Sequence, residues 1–227
     1  MTSLQVQSAL GTAQPQQAAY PELDAWVSVE WAEFLRLAEL PDYRDCKAYY
    51  HNGKMRIESM STGSDHAKAH AILMALIAVF GIVKAIPLDP RDGCTYRHTP
   101  DDEFQPDASY YIGDKVGSVP NGTRLVELET YPKPDLVIEV SDTTLADDMG
   151  EKRLMYEELG VSEYWIWDVK NTQIIAFAIT AKGASERITT SRVLPNLSLD
   201  LLTEALQRSQ ESDQSTAGAW YMQQLSA

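Results

Sequence analysis

Residues 71–83 read AILMALIAVFGIV, an unbroken apolar run that stops at Lys84. A bilayer-spanning helix needs about twenty such residues, so this run is too short to cross one. Together with SDHAKAH before it, the segment predicts a helix from about Ser64 to Phe80 whose second half is apolar all round. A helix of that kind belongs in the middle of a domain, covered by other elements. With 227 residues, 44% of them apolar, the chain is long enough to supply that cover as one generous domain.

The other elements alternate around this helix. Ser28 is placed to cap a helix carrying Trp31, Phe34, Leu35 and Ala38 that ends before Pro41. AYYH and KMRIESM flank Asn52-Gly53, a strong short-range hairpin signal. CTYRH, the run FQPDASYYI and DLVIEVS read as three strands, with a long connection over 114–131. Residues 147–159 predict a helix with Met149, Leu154, Tyr156 and Leu159 as its buried stripe, and Gly160 at its C-terminal cap. EYWIWDV and TQIIAFAIT form two further strands around Lys170-Asn171, with Trp165 and Trp167 in the core. This order predicts an α/β fold with helices packed on a mixed sheet.

Residues 1–25 lack periodicity and predict a flexible arm, 26–206 the folded domain, and 207–227 a polar tail, QRSQESDQSTAG being its least apolar part. No basic region precedes an apolar core at the start, so no secretory signal is expected and the reading is cytoplasmic, with no membrane partner. Cys46 and Cys94 have no C-x-x-C spacing, which argues against a zinc ribbon or a disulfide scaffold. Nineteen basic against thirty-three acidic residues leave a net charge of −14. That excludes broad basic-face binding of nucleic acid, though not a local cleft.

Glycine-rich phosphate loops, G-x-S-x-G and H-E-x-x-H are all absent. What remains is a set of acids beside apolar strands, where an unpaired charge is costly. In DLVIEVS, alternation puts Asp135, Val137 and Glu139 on one face and Leu136, Ile138 and Val140 on the other. Asp135 and Glu139 are then roughly 13 Å apart, too far to share an ion. A partner for Glu139 must come from another strand, and Asp107, after Pro106, is the best candidate. Lys152, on the following helix, can return toward the end of that strand. Two carboxylates and a lysine suit a magnesium ion and an attacking water at a phosphoryl group.

Each residue also has an ordinary structural use. Asp107 suits a turn or a cap, Lys152 can pair with Asp148 at i,i+4, and Asp135 can stabilise the start of its strand. His66 and His70, four apart, suit either metal ligation or hydrogen bonding at a helix start. Glu58 is either a further acid at the site or an exposed strand residue.

PDLVIEVSD followed by EKRLMYEELGVSEYWIWD resembles the Uma-two family of restriction endonucleases, within the PD-(D/E)XK nuclease superfamily. YYHNGKMRIESMSTGSDH, FQPDASYYI and LPNLSLDL share that resemblance, which spans about residues 27–202. The resemblance implies a restriction-endonuclease-like fold, a central mixed sheet flanked by helices with a divalent metal at one edge. It makes Asp107 the Pro-Asp acid and Glu139 the acid of the third motif, both as metal ligands to Mg2+ or Mn2+. The usual lysine two residues after that acid is replaced by Ser141, and Lys152 on the next helix takes its role. The first hairpin departs from the pattern, with Ala48-Tyr49-Tyr50 where many relatives carry a glutamate; Glu58 or His66 would compensate.

The function expected is metal-dependent endonucleolytic hydrolysis of DNA by Asp107, Glu139 and Lys152, with Glu58, His66 and Asp135 as accessory candidates. Cutting both strands needs two sites, which suggests a homodimer. The rival readings are a nuclease-fold scaffold without activity and a phosphodiesterase acting on RNA or nucleotides.

Overall fold

A computed structural model describes residues 21–60 and 63–226; the expected N-terminal arm therefore lies outside the described residues up to position 20. Strand β1 (Val27–Ser28) and helix α1 (Trp31–Ala38) precede the hairpin of β2 (Cys46–His51) and β3 (Lys54–Ser59). Glu30, not Ser28, stands at the start of α1, because Ser28 is taken up in pairing with β3. Asn52 and Gly53 adopt left-handed backbone, with φ of 49° and 73°, the geometry that two-residue hairpin loops require.

Helix α2 (Ser64–Lys84) leads to β4 (Leu88–Asp92), β5 (Tyr96–His98), β6 (Asp102–Phe104), β7 (Ala108–Ile112), β8 (Val126–Glu127) and β9 (Leu136–Ser141). Helices α3 (Leu145–Met149) and α4 (Glu151–Leu159) connect β9 to β10 (Glu163–Asp168). Then come β11 (Gln173–Ile179), β12 (Ser185–Ile188), α5 (Leu199–Glu211) and α6 (Gln214–Ser226).

Among the described residues the strands form two six-stranded sheets, not one. The main sheet runs β12-β11-β10-β9-β7-β4, in which only β9 and β10 are parallel, as a helical crossover between them demands. The second runs β1-β3-β2-β6-β5-β8. FQPDASYYI is the reason for the split. Pro106 has no N–H to give a ladder, so β6 ends in one sheet and β7 begins in the other.

Alternation along β9 sends Leu136, Ile138 and Val140 into the core beneath α2, α5 and α6, and Val137 into the core between the sheets. Trp165 and Trp167 are buried in the first of these cores, as expected. The hairpin turns Tyr50, Met55 and Ile57 outward to pack under α1. Its other face carries Lys47, Tyr49, Arg56 and Glu58, because Lys47 pairs with Glu58 and Tyr49 with Arg56 in the register. That face looks toward β7 and β9.

Three expectations change. Helix α2 is covered on one side by β9, α5 and α6, but Ile82 is 77% exposed, so the helix is not enclosed all round. At 21 residues it is also longer than its apolar run, and by length and composition alone it could cross a membrane. The expected polar tail is helical instead. Residues 207–218 are the end of α5, a break at Ser212 and Asp213, and the start of α6. Asp213 caps α6 through the N–H groups of Ser215 and Thr216, while Ala217, Tyr221 and Leu225 are buried at i,i+4 spacing. Finally, the helix over 147–159 is broken at Gly150, and Leu154 is exposed, its place in the buried stripe beside Tyr156 taken by Met155.

Candidate active site

Strand register brings the two principal acids together. Ala108 pairs with Ile138 on adjacent antiparallel strands, so one step outward sets Asp107 opposite Glu139 on the same sheet face. The Val140 N–H donates to Asp107 Oδ2 at 2.7 Å and fixes that carboxylate at the end of the ladder. Both acids line a cleft of about 500 Å³ between the hairpin, the start of α2 and the connection after β9. Lys47, Arg56, Glu58, His66 and Lys152 share its wall.

Gly150 sets where Lys152 lands. A Cβ at Gly150 would lie 2.9 Å from the Ala146 carbonyl oxygen, so only glycine permits the sharp passage from α3 into α4. Lys152 is buried, with Nζ 2.8 Å from Glu58 Oε2, 3.1 Å from Asp148 Oδ1 and 3.8 Å from Glu139 Oε1. It also sits 4.6 Å from the centre of the Tyr49 ring. The i,i+4 pairing with Asp148 and the return to Glu139 therefore coexist. Burial works against the charged ammonium, but Glu139, Asp148 and Glu58 outweigh it and hold the pKa well above the ordinary lysine value.

Glu139 is 2% exposed. Tyr156 donates to its Oε1 at 2.9 Å, while the Tyr49 hydroxyl, 3.3 Å from the same oxygen, has a nearer acceptor in the Gln105 carbonyl at 2.8 Å. Burial pushes the Glu139 carboxyl up to about 8, against the opposing pull of Lys152 and Lys47. For Asp107, burial acts in the same direction, but the His66 imidazole, the Lys47 ammonium and the Val140 N–H more than offset it and hold the carboxyl well below the usual range. Lys47 forms a short ion pair with Asp107 Oδ1, and His66 Nε2 lies 3.6 Å from the same oxygen.

Glu58 and His66 thus stand at the site. Asp135 does not. It is at the opposite end of its strand, where it accepts from the Ile112 N–H at 2.9 Å and pairs with Lys115 at 2.7 Å, which anchors the strand start. His70 is turned toward Asp92, 3.9 Å away, so the two histidines do not share a centre. Sequence reasoning missed Lys47, Tyr49, Arg56 and Tyr156. Tyr156 was reachable, since it lies four residues after Lys152 on one helix face, and Tyr49 and Lys47 alternate along the hairpin strand.

Among the described residues no three His, Cys, Asp or Glu side chains converge as a ready-made metal cage. The cleft nevertheless suits a hard cation. Its wall holds six acidic side chains (Asp24, Glu58, Asp107, Glu139, Asp142 and Asp147) against three basic ones, Lys47, Arg56 and Lys152. Asp147 Oδ2 is buried there without a hydrogen bond, with Arg56 Nε 3.4 Å away. Magnesium is characteristically held by one or two carboxylates plus water and substrate phosphate rather than by an all-protein cage, and the opposed Asp107 and Glu139 supply that donor set.

An α/β domain with facing acids on adjacent strands and a lysine delivered by the crossover helix has the architecture of a restriction-endonuclease-like fold. A solved structure titled as a putative nuclease belonging to DUF820, from Anabaena variabilis, is similar to it, with a TM-score of 0.51 over 78% of this chain and 99% of that chain at 19% identity. The Uma2 family, described as "Putative restriction endonuclease", matches residues 31–211. The chain belongs to the Uma2 family. No curated protein matches the sequence.

Proposed function

We propose that this protein is a divalent-cation-dependent endonuclease that hydrolyses DNA phosphodiester bonds in the Asp107–Glu139 cleft. The observation that carries this reading is the cross-strand placement of Asp107 opposite Glu139, with Lys152 3.8 Å from the latter. Asp107 and Glu139 would hold Mg2+ or Mn2+, which would supply Lewis acidity toward a phosphoryl oxygen and acidify water. Tyr156 donates to Glu139 Oε1 and so fixes the orientation of its carboxylate, with the Tyr49 hydroxyl beside it. Lys152 remains an ammonium because its carboxylate partners outweigh burial; it serves as a fixed charge that stabilises the phosphorane-like transition state and does not act as a base. Glu58 and Asp148 position that ammonium, and His66 steadies Asp107. Cutting both strands of a duplex would pair two such clefts in a homodimer.

The test is cleavage of supercoiled plasmid with Mg2+ or Mn2+ by the parent, Glu139→Ala and Lys152→Ala. Nicking or linearisation that disappears in both variants and with chelator supports the assignment. Loss in Glu139→Ala alone would return Lys152 to a structural role. One observation favours a scaffold instead: the cations of the cleft are already paired within the protein. A scaffold would cut nothing and would show no Glu139-dependent metal binding.

A further inference from the structure

Three cations line the cleft, and they are held differently. Lys152 is fixed among Glu58, Asp148 and Glu139. Arg56 donates to the Asp24 carbonyl and lies 3.4 Å from Asp147 and 3.8 Å from Glu58. Among the described residues Lys47 has one ion-pair partner, Asp107 Oδ1. The other oxygen of that carboxylate is taken by the Val140 N–H. Oδ1, in contrast, faces movable side chains, the Lys47 ammonium against it and His66 Nε2 at 3.6 Å, so a metal binding there meets the ammonium first.

We propose that Lys47 is a resident cation that a divalent ion must displace from Asp107, and that a DNA phosphate, by accepting the Lys47 ammonium, makes metal loading and substrate binding depend on each other. This rests on the reading of Asp107 and Glu139 as the metal centre. A dication and an ammonium on one carboxylate oxygen repel strongly where water is scarce. Lysine carries its charge on a flexible four-carbon stem and binds phosphate as a point charge. The Lys47 side chain, 12% exposed on the cleft wall, can swing without disturbing the strand, whose register is set by backbone pairing with Glu58 and its neighbours. Phosphate in the cleft gives the ammonium a new partner and frees Oδ1. By linkage, DNA tightens metal binding and metal tightens DNA binding by the same factor.

Calorimetric titration of Mn2+ into the full chain tests this, with and without a duplex whose phosphorothioate linkages keep it intact. The parent, Lys47→Met and the charge-retaining Lys47→Arg are compared, with Lys47→Gln in reserve should the methionine variant fold poorly. Without DNA, Lys47→Met is expected to bind Mn2+ at least about fivefold more tightly than the parent, the lower end of ordinary coupling between sites. Lys47→Arg should resemble the parent. The duplex should raise Mn2+ affinity by a larger factor in the parent than in Lys47→Met. Equal or weaker Mn2+ binding by both Lys47→Met and Lys47→Gln, or an equal gain from DNA, would overturn the coupling while leaving the metal centre standing. Mn2+ binding by none of the proteins, or binding that survives Glu139→Gln, would sink the metal centre and the coupling together.

Discussion

Glu139→Gln should stabilise the metal-free protein, and increasingly so as pH rises. The carboxyl is ordinarily half-ionised at 4.5 but is pushed up to about 8 by burial in the folded chain. Below about pH 4.5 both folded and unfolded chains keep the proton and Glu139 imposes no penalty. Between 4.5 and 8 the unfolded chain releases the proton while the folded chain retains it, so stability drains away at about 1.4 kcal/mol per pH unit. That gap amounts to about 3 kcal/mol at pH 7 and about 5 kcal/mol once pH passes 8. A glutamine keeps the shape and an oxygen for Tyr49 and Tyr156 but has no proton to lose. Urea unfolding followed by tryptophan fluorescence, in chelator, at intervals from about pH 5 to pH 9 should show the variant gaining on the parent by that amount. A difference that stays flat with pH would refute the burial argument. A difference that shrinks as pH rises would show that Lys152 governs the ionisation.

Other perturbations follow from particular contacts. Gly150→Ala places a methyl 2.9 Å from the Ala146 carbonyl; thermal unfolding should show a loss of about 1–3 kcal/mol. A change within experimental error would mean the passage between α3 and α4 is not tight. Tyr221→Ala removes a fully buried ring from under α6 and should cost about 3–5 kcal/mol in urea unfolding, whereas a freely moving tail would lose nothing. Glu163 accepts from Trp165, Ser191 and the N–H groups of Arg192 and Val193. Glu163→Ala strands those donors and should cost at least about 3 kcal/mol, and Mn2+ affinity of the folded fraction should stay unchanged if this cluster is separate from the cleft.

The parts of the fold that were legible in the sequence depend on near neighbours in the chain. Asn52-Gly53 announces its hairpin, and the period of DLVIEVS gives the face on which Glu139 lies. Its position opposite Asp107 follows from a register that no local pattern contains, although the need for an acid from another strand could be argued from length alone. Lys152 was legible because the crossover returns to the strand it left. Lys47 was not: it sits in a polar-looking stretch, DCKAYYH, and its partner is sixty positions away. The C-terminal helix was hidden by its composition, since three buried residues four apart carry it through a run otherwise poor in apolar side chains. Asp135 was legible as the anchor of its strand start, the role it has, but not separable from a site residue, because an acid at a strand end looks the same whether it anchors backbone or serves a site.

The most direct measurement is a crystal structure of the full chain with saturating Mn2+, located by its anomalous scattering. The account predicts an ion held between Asp107 and Glu139, with the Lys47 ammonium moved away from Asp107. No ion in that cleft, or one held elsewhere while Lys47 stays on Asp107, would contradict it.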